Sequence, residues 1–227
     1  METLEKNEAL KEDILAAYAF RHATKEFDSS RKISSEDFGF ILETARLSPS
    51  SFGFEPWKFV VVQNPELREK LRVNAWGAQK QLPTASHFLL ILSRQPADLA
   101  ADSAFIGGMM HGVQQLPPEV AAGKAKAFDT FLNEDFGLKG NDRAKFEWGA
   151  RQTYLALGNM MTAAAMIGID SCPIEGFNKE LIEQTLEAEG ILDREHFGLA
   201  CMVAFGYRKA EPRAKTRQTA GQVIQWV

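Results

Sequence analysis

Cysteine is nearly missing from this chain of 227 residues: Cys172 and Cys201 stand far apart with no paired spacing. That leaves no disulfide framework and fits a reducing compartment. Histidine is almost as sparse. His22, His87, His111 and His196 have no ligand spacing with one another or with a cysteine, so no metal is expected. A positive excess is missing too: 26 Lys and Arg face 30 Asp and Glu, for a net charge of −4. A nucleic-acid partner usually demands a basic face, so none is expected. No apolar run reaches the roughly 18 residues of a membrane span. The longest candidate, Tyr154 to Ile169, is broken by Gly158, Asn159 and Thr162. The opening METLEKNEALKEDI is charged and holds no apolar signal core, so the expectation is a cytoplasmic protein without a membrane partner. The signatures G-x-S-x-G, H-E-x-x-H, G-x-x-x-x-G-K-[ST] and a strand followed by G-x-G-x-x-G are all absent. Hydrolase and metalloenzyme readings therefore have no sequence support. The glycine-rich run Gly107–Gly112 sits in a helical pattern and reads as helix packing.

What remains is ordinary for a globular protein, with 45% apolar and 25% charged residues. The length suits one domain over residues 1–227. Helical spacing of Leu10, Ile14, Leu15 and Tyr18 predicts a helix over about Glu8–Phe20. A second starts at Ser34 or Ser35, either a good N-cap, and stops at Ser48 before Pro49. Residues 57–63 (WKFVVVQ) and 88–93 (FLLILS) read as strands, the latter apolar enough to be buried on both faces. Between Pro96 and Leu138 the pattern is helical with a break at Pro117-Pro118. Asp142–Ile167 reads as one long helix whose apolar second half is central. A short strand at Ile169–Cys172 closed by Pro173, a helix at Asn178–Ala188 and a strand at Gly198–Phe205 follow. The tail from Arg208 has no clear period. Helices outnumber short, separated strands, which points to an α+β class with one small sheet.

Four segments stand out, and each has a bland reading. Arg21-His22-Ala23-Thr24-Lys25-Glu26-Phe27 follows the first helix. Its cations suit the helix C-terminus, and they also suit an anion clamp. Ser48-Pro49-Ser50-Ser51-Phe52-Gly53-Phe54-Glu55-Pro56-Trp57 has loop chemistry, with hydroxyls and aromatics that suit a flat, polar-edged ligand. Cys172-Pro173-Ile174-Glu175-Gly176-Phe177 reads as a turn after a strand, or as a backbone platform for a ligand. The run Arg208 to Arg217 is basic, as either a solvated tail or a phosphate hook. On the long helix, Trp148, Gln152, Leu155 and Asn159 share one face. Gln152 there is either an amide presented to an interface or an exposed polar residue.

In this order and spacing, R-H-x-T-K-x-F, S-P-S-S-x-x-x-x-P-W and P-I-E-G-F resemble the nitroreductase family, most closely its bacterial oxygen-insensitive, FMN-dependent NAD(P)H enzymes. The resemblance runs from about Ile14 to Arg217. It implies a small, mainly antiparallel central sheet flanked by helices, a C-terminal extension, and a homodimer with FMN at each subunit interface. Carried over, Arg21, Lys215 and Arg217 would hold the FMN phosphate, with His22 and Ala23 beside it. Lys25 would lie at the pyrimidine edge, and Pro173 and Ile174 against one ring face. The Glu175 N–H would point at flavin N5, with Gly176 permitting the approach. From the partner subunit, Pro49, Ser50, Ser51, Gly53 and Gln152 would complete the pocket. Phe128 or Phe131 is the candidate substrate gate, with core packing as the competing reading. Family members place an Asn and often a Lys at the flavin edge, a region that here contains Asn74 and Lys80. Ala23 replaces a common Ser, Gly53 stands where many members have Asn, and Phe54-Glu55 replaces a polar-Gln pair. The implied reaction is ping-pong hydride transfer from NAD(P)H, through the flavin, to a nitroaromatic, quinone, flavin or pteridine. No protein side chain need act as catalyst. The alternative is a flavin-binding protein for storage or sensing, without turnover.

Overall fold

A continuous apolar run can be buried on both faces only if helices cover both, and that is how the centre of this chain is built. A computed structural model describes the backbone of residues 2–227 and the side chains from residue 7 onward. Four strands, β1 (Trp57–Val61), β2 (His87–Arg94), β3 (Asp170–Ile174) and β4 (Phe197–Gly206), form an antiparallel sheet in the order β1-β2-β4-β3. Successive side chains of β2 go to opposite faces, as the period of two requires. Phe88, Leu90 and Leu92 join one core cluster with residues of α3 (Pro65–Asn74) and α8 (Lys179–Ala188). Leu89 and Ile91 join another with α2 (Ser35–Arg46) and α7 (Asp142–Met166). The helix α1 (Glu2–Phe20) packs on α7.

Three short or interrupted helices fill the middle of the chain: α4 (Gln81–Thr84), α5 (Ala104–Gly108) and α6 (Pro118–Thr130). Each of the last two runs on into a π-type turn, at Met109–Val113 and Phe131–Asp135. The N-terminal turn of α6 carries Pro118, so the predicted break at Pro117-Pro118 holds. A third cluster, with Phe54, Ile106, Phe128 and Trp148, lies under this region.

Several boundaries differ from the sequence reading, for identifiable reasons. β3 does not close at Pro173. Pro173 pairs with Val203 and Ile174 with Met202, because β3 is an edge strand where a missing N–H is tolerated. β1 ends at Val61, and α2 ends at Arg46 with Leu47 as its cap. α3 was not foreseen, although Asn64 caps it by accepting from the Leu67 N–H and Pro65 occupies its first turn. The tail contains one turn of helix, α9 (Ala220–Val223).

Candidate functional site

Where α1 ends at Phe20, the chain turns to run beside β3. Ala23 bridges Ser171 in parallel, and the Thr24 N–H donates to the Ser171 carbonyl at 3.1 Å. After β4 the tail returns to the same place. The Arg208 guanidinium sits 2.6 Å from buried Asp170 and donates to the Phe20 carbonyl at 3.0 Å. Further along, the Lys215 ammonium donates to the Tyr18 carbonyl. Arg21, Lys215 and Arg217 thereby come to line one cavity of about 200 Å³, together with His22, Ala23 and Arg213.

The acids nearby are already paired. Asp170 and Glu211 bind Arg208, while Glu26 is held by Lys80 at 3.0 Å and Lys209 at 2.6 Å. Those two lysines keep the Glu26 carboxyl below its usual range. Among the described residues, the three cations therefore face one another without a carboxylate partner. Burial, and then the charges of Arg21 and Arg217, push the Lys215 ammonium down. His22 adds an unmet polar atom. Its Nδ1 lies 2.8 Å from the Phe20 carbonyl and so carries the proton, an assignment inferred from that acceptor. Its buried Nε2 has no hydrogen-bond partner among the described residues. Forked guanidinium and ammonium donors around a small cavity fit a phosphate dianion.

A second cavity of about 740 Å³ shares His22, Ala23 and Arg213 and extends past Thr24 and exposed Lys25 to Lys80. That volume lies within the ~300–1,000 Å³ range of organic ligand sites. Lys80 serves Glu26 there rather than standing free. A separate hollow of about 560 Å³ near Lys32 and His87 reaches Arg68, whose guanidinium donates to the carbonyls of Val62, Ala85 and Leu82. It offers no free guanidinium.

The turn after β3 is clasped from one side by the loop after α3. The Gly77 N–H donates to the Gly176 carbonyl at 2.6 Å, and the Asn178 N–H to the Asn74 carbonyl at 2.8 Å. A Cβ on Gly176 would lie 2.8 Å from Gly77 Cα, so the glycine here is required by a neighbouring backbone. From the other side, the Tyr154 hydroxyl donates to the Glu175 carboxylate, a contact the sequence reading missed. Ile174 is buried, Pro173 half-buried and Glu175 exposed.

The serine-rich loop is fixed to α7. The Ser51 N–H donates to Gln152 Oε1 at 2.9 Å, and Asn159 Nδ2 donates to Ser48 Oγ at 2.9 Å. Gln152 is buried, which removes the reading of an exposed polar residue. Ser50 Oγ accepts from the Glu55 N–H at 2.8 Å, and Gln114 donates to the carbonyls of Phe52 (3.2 Å) and Gly53 (2.7 Å). Gly53 has φ +65°, a conformation glycine adopts without strain. Pro49 and Gly53 are exposed.

Phe128 follows the core-packing reading. It is fully buried, with ring centroids 4.8 Å from Phe54 and 5.6 Å from Trp148, so it forms part of the third core cluster. Phe131 beside it is half-buried.

These residues form two groups. Gln152 and Tyr154 are two positions apart on α7, roughly 200° around the helix. One meets the serine-rich loop and the other the turn after β3. The loop leads into β1 and the turn leaves β3, which are opposite edges of the sheet. Within one chain, the cation cluster and the Glu175 turn thus lie on one side of α7, with residues 49–53 on the other.

The model of the nitroreductase family matches residues 18–207. A protein of Bacillus subtilis (strain 168) named as an NAD(P)H nitroreductase, YfkO, is 57% identical over 218 residues, covering 96% of this chain and 99% of the relative. Among solved structures, the nitroreductase ydfN of Bacillus subtilis superimposes with a TM-score of 0.76 at 24% identity, covering 96% of this chain and 100% of that one. A nitroreductase from Exiguobacterium sibiricum, crystallised in complex with FMN, gives a TM-score of 0.73 at 23% identity over 94% of this chain and 97% of its own. Among the described residues, no three or more His, Cys, Asp or Glu gather where a metal could bind, and no helix is long and apolar enough to cross a membrane.

Proposed function

The chain belongs to the nitroreductase family, and from that premise we propose that it is an FMN-dependent NAD(P)H oxidoreductase acting as a homodimer. The observation that carries the reading is the convergence of Arg21, Lys215 and Arg217, without a carboxylate, on one small cavity. Arg21 and Arg217 would clamp the FMN phosphate by their forked donors, and Lys215 would add a point charge. This arrangement explains why no glycine-rich phosphate loop is present: side chains replace a helix N-terminus as the anion site.

Bound FMN supplies a hydride acceptor and donor at N5. The protein's part is binding, orientation and electrostatics. Lys25 would place a cation at the pyrimidine edge and favour charge that gathers there on reduction. Pro173 and Ile174 would support one face of the ring, and the Glu175 N–H would orient it. The second group, Pro49, Ser50, Ser51, Gly53 and Gln152, would come from the partner subunit, because in its own chain it lies across α7. Exposed Leu15, Tyr18, Leu155 and Met166 on α1 and α7 supply apolar surface for such a pairing. NAD(P)H and the acceptor would use the same open face in turn, in ping-pong order. Nitroaromatics, quinones, flavins and pteridines are all flat enough for that face.

The test is direct. Purified protein should be yellow, with the absorption of oxidised flavin, and should bleach on addition of NAD(P)H under nitrogen. Colourless protein that takes up no added FMN would overturn the proposal. Bound flavin that dithionite reduces but NAD(P)H does not would instead support a storage or sensing role. An acceptor panel run after stopped-flow reduction by NADH and by NADPH would then rank the substrates.

A further inference from the structure

We propose that Tyr154 is a positioning residue: its hydroxyl anchors Glu175 and so holds the 174–176 peptides in the direction in which they meet the flavin. The inference rests on the FMN reading above and deepens it.

The geometry starts from where the sheet stops. The last β3 residue, Ile174, pairs with Met202, so Glu175 has already left the ladder beside Cys201. A turn just beyond an edge strand has lost the register that fixed its peptides. Two outside contacts replace that register. The Gly77 N–H reaches the Gly176 carbonyl from the α3 side at 2.6 Å. From α7, Tyr154 reaches the Glu175 carboxylate. The two anchors fall on adjacent residues and come from opposite sides, which fixes the peptide between them.

Tyr154 is poorly placed for a purely packing role. It is 39% exposed, whereas its neighbours Gln152 and Thr153 are buried. Burial, and then the Glu175 carboxylate, push the phenol pKa upward, so the hydroxyl remains a donor. Cys201 is the other group beside it, and burial pushes that thiol up to about 12. The thiol is therefore neutral and does not compete as an anion for the hydroxyl.

The test compares Tyr154→Phe, Glu175→Gln and wild type, with Glu175→Ala as a second disruption should Tyr154→Phe fold poorly. Two quantities are read: amide hydrogen exchange of the 173–177 segment in apoprotein, and the oxidised-to-reduced equilibrium of FMN in loaded protein. Removing the hydroxyl should speed exchange about tenfold, the scale of one hydrogen bond to a charged group. It should also move the two-electron equilibrium about tenfold, which is about 30 mV. Glu175→Gln keeps an oxygen acceptor and should exchange as wild type does. In the Glu175→Ala background, Tyr154→Phe should add nothing. Wild-type exchange in Tyr154→Phe overturns the proposal. Faster exchange with an unmoved flavin equilibrium overturns it as well, since that marks a structural tie only. Failure of the wild type to bind FMN would defeat the parent reading, while exchange in apoprotein would still judge the anchor.

Discussion

Arg21, Lys215 and Arg217 repel one another, and the relief that a bound anion would bring can be measured. Replacing Lys215 and Arg217 together by Ala should weaken FMN binding about a hundredfold or more, since each hydrogen bond between charged groups is worth ~1.5–3 kcal/mol. Fluorescence titration of FMN checks this, and added salt should weaken wild type more than the double variant. Lys209→Ala is the control: Lys209 serves Glu26 at 2.6 Å, so FMN affinity should hold. Unchanged affinity in the double variant would remove both residues from the site. Glycine offers a second contrast. A Cβ at Gly176 would meet Gly77 Cα at 2.8 Å and N at 2.9 Å, atoms that cannot rotate away. Gly176→Ala should therefore lower the melting temperature by several degrees and disturb the flavin spectrum. Gly123, in α6, has nothing within 4 Å of its added Cβ, so Gly123→Ala should stabilise by about 0.5–1 kcal/mol through helix propensity alone.

At the scale of elements, two contacts hold the site's frame together. Buried Asp170, at the start of β3, pairs with Arg208 and so fastens the tail to the end of α1. Asp170→Ala would leave that guanidinium with only exposed Glu211 and the Phe20 carbonyl, at a cost of about 3 kcal/mol, the low end for breaking a buried pair. Chemical denaturation should show the loss, with FMN affinity falling in parallel as the tail loosens. The other contact is pH-dependent. His87, at the start of β2, stacks on Phe38 of α2 with ring centroids 3.7 Å apart. Burial, then the charges of Arg68 and Lys32, lower its pKa from 6.5 to about 4. The folded state thus prefers neutral imidazole more strongly than the unfolded chain does. Its contribution is complete above pH 6.5, shrinks as pH falls toward about 4, and is then lost. Because the ring is only half-buried, the loss should be about 1 kcal/mol after solvent screening. Melting temperature between pH 7 and pH 4 should fall less steeply in His87→Gln than in wild type. These elements also show what sequence can and cannot carry. The β2 run was legible because burial on both faces needs continuous apolar residues. Pro173 misled, since whether a strand lies at an edge is a property of the finished sheet. Asn64-Pro65, which starts α3 as its cap and first residue, was not read as a helix start, and β1 stops two residues short of the predicted Gln63.

The whole molecule raises the question of which chain supplies which half of the site. Arg21, Lys215 and the P-I-E-G-F turn stood out in the sequence because their residue types and order are unusual together, and the fold brings Arg21 and Lys215 to one cavity. Two features were not legible: the Tyr154 contact and the Gly77–Gly176 clasp. Each joins segments whose proximity only the fold decides. The separation of the two residue groups across α7 is likewise a product of topology, with β1 and β3 on opposite edges. It makes a prediction that no single-chain site would share. Take one chain carrying Lys215→Ala and Arg217→Ala, and a second carrying Ser51→Trp to fill the other half-site. Neither homodimer should bind FMN well, and sedimentation should show both as dimers. Unfold the two together, refold them at equal concentration, and half the dimers become mixed. In an isologous pairing each mixed dimer holds one site built wholly from native residues and one with both defects, so about a quarter of all sites should regain FMN. If all these residues acted within one chain, mixing would restore none. Recovery near one quarter of wild-type flavin content would place the serine-rich loop and the cation cluster of each working site on different polypeptides. Zero recovery, with mixed dimers demonstrably formed, would return the whole site to a single chain and remove the reason for a shared interface.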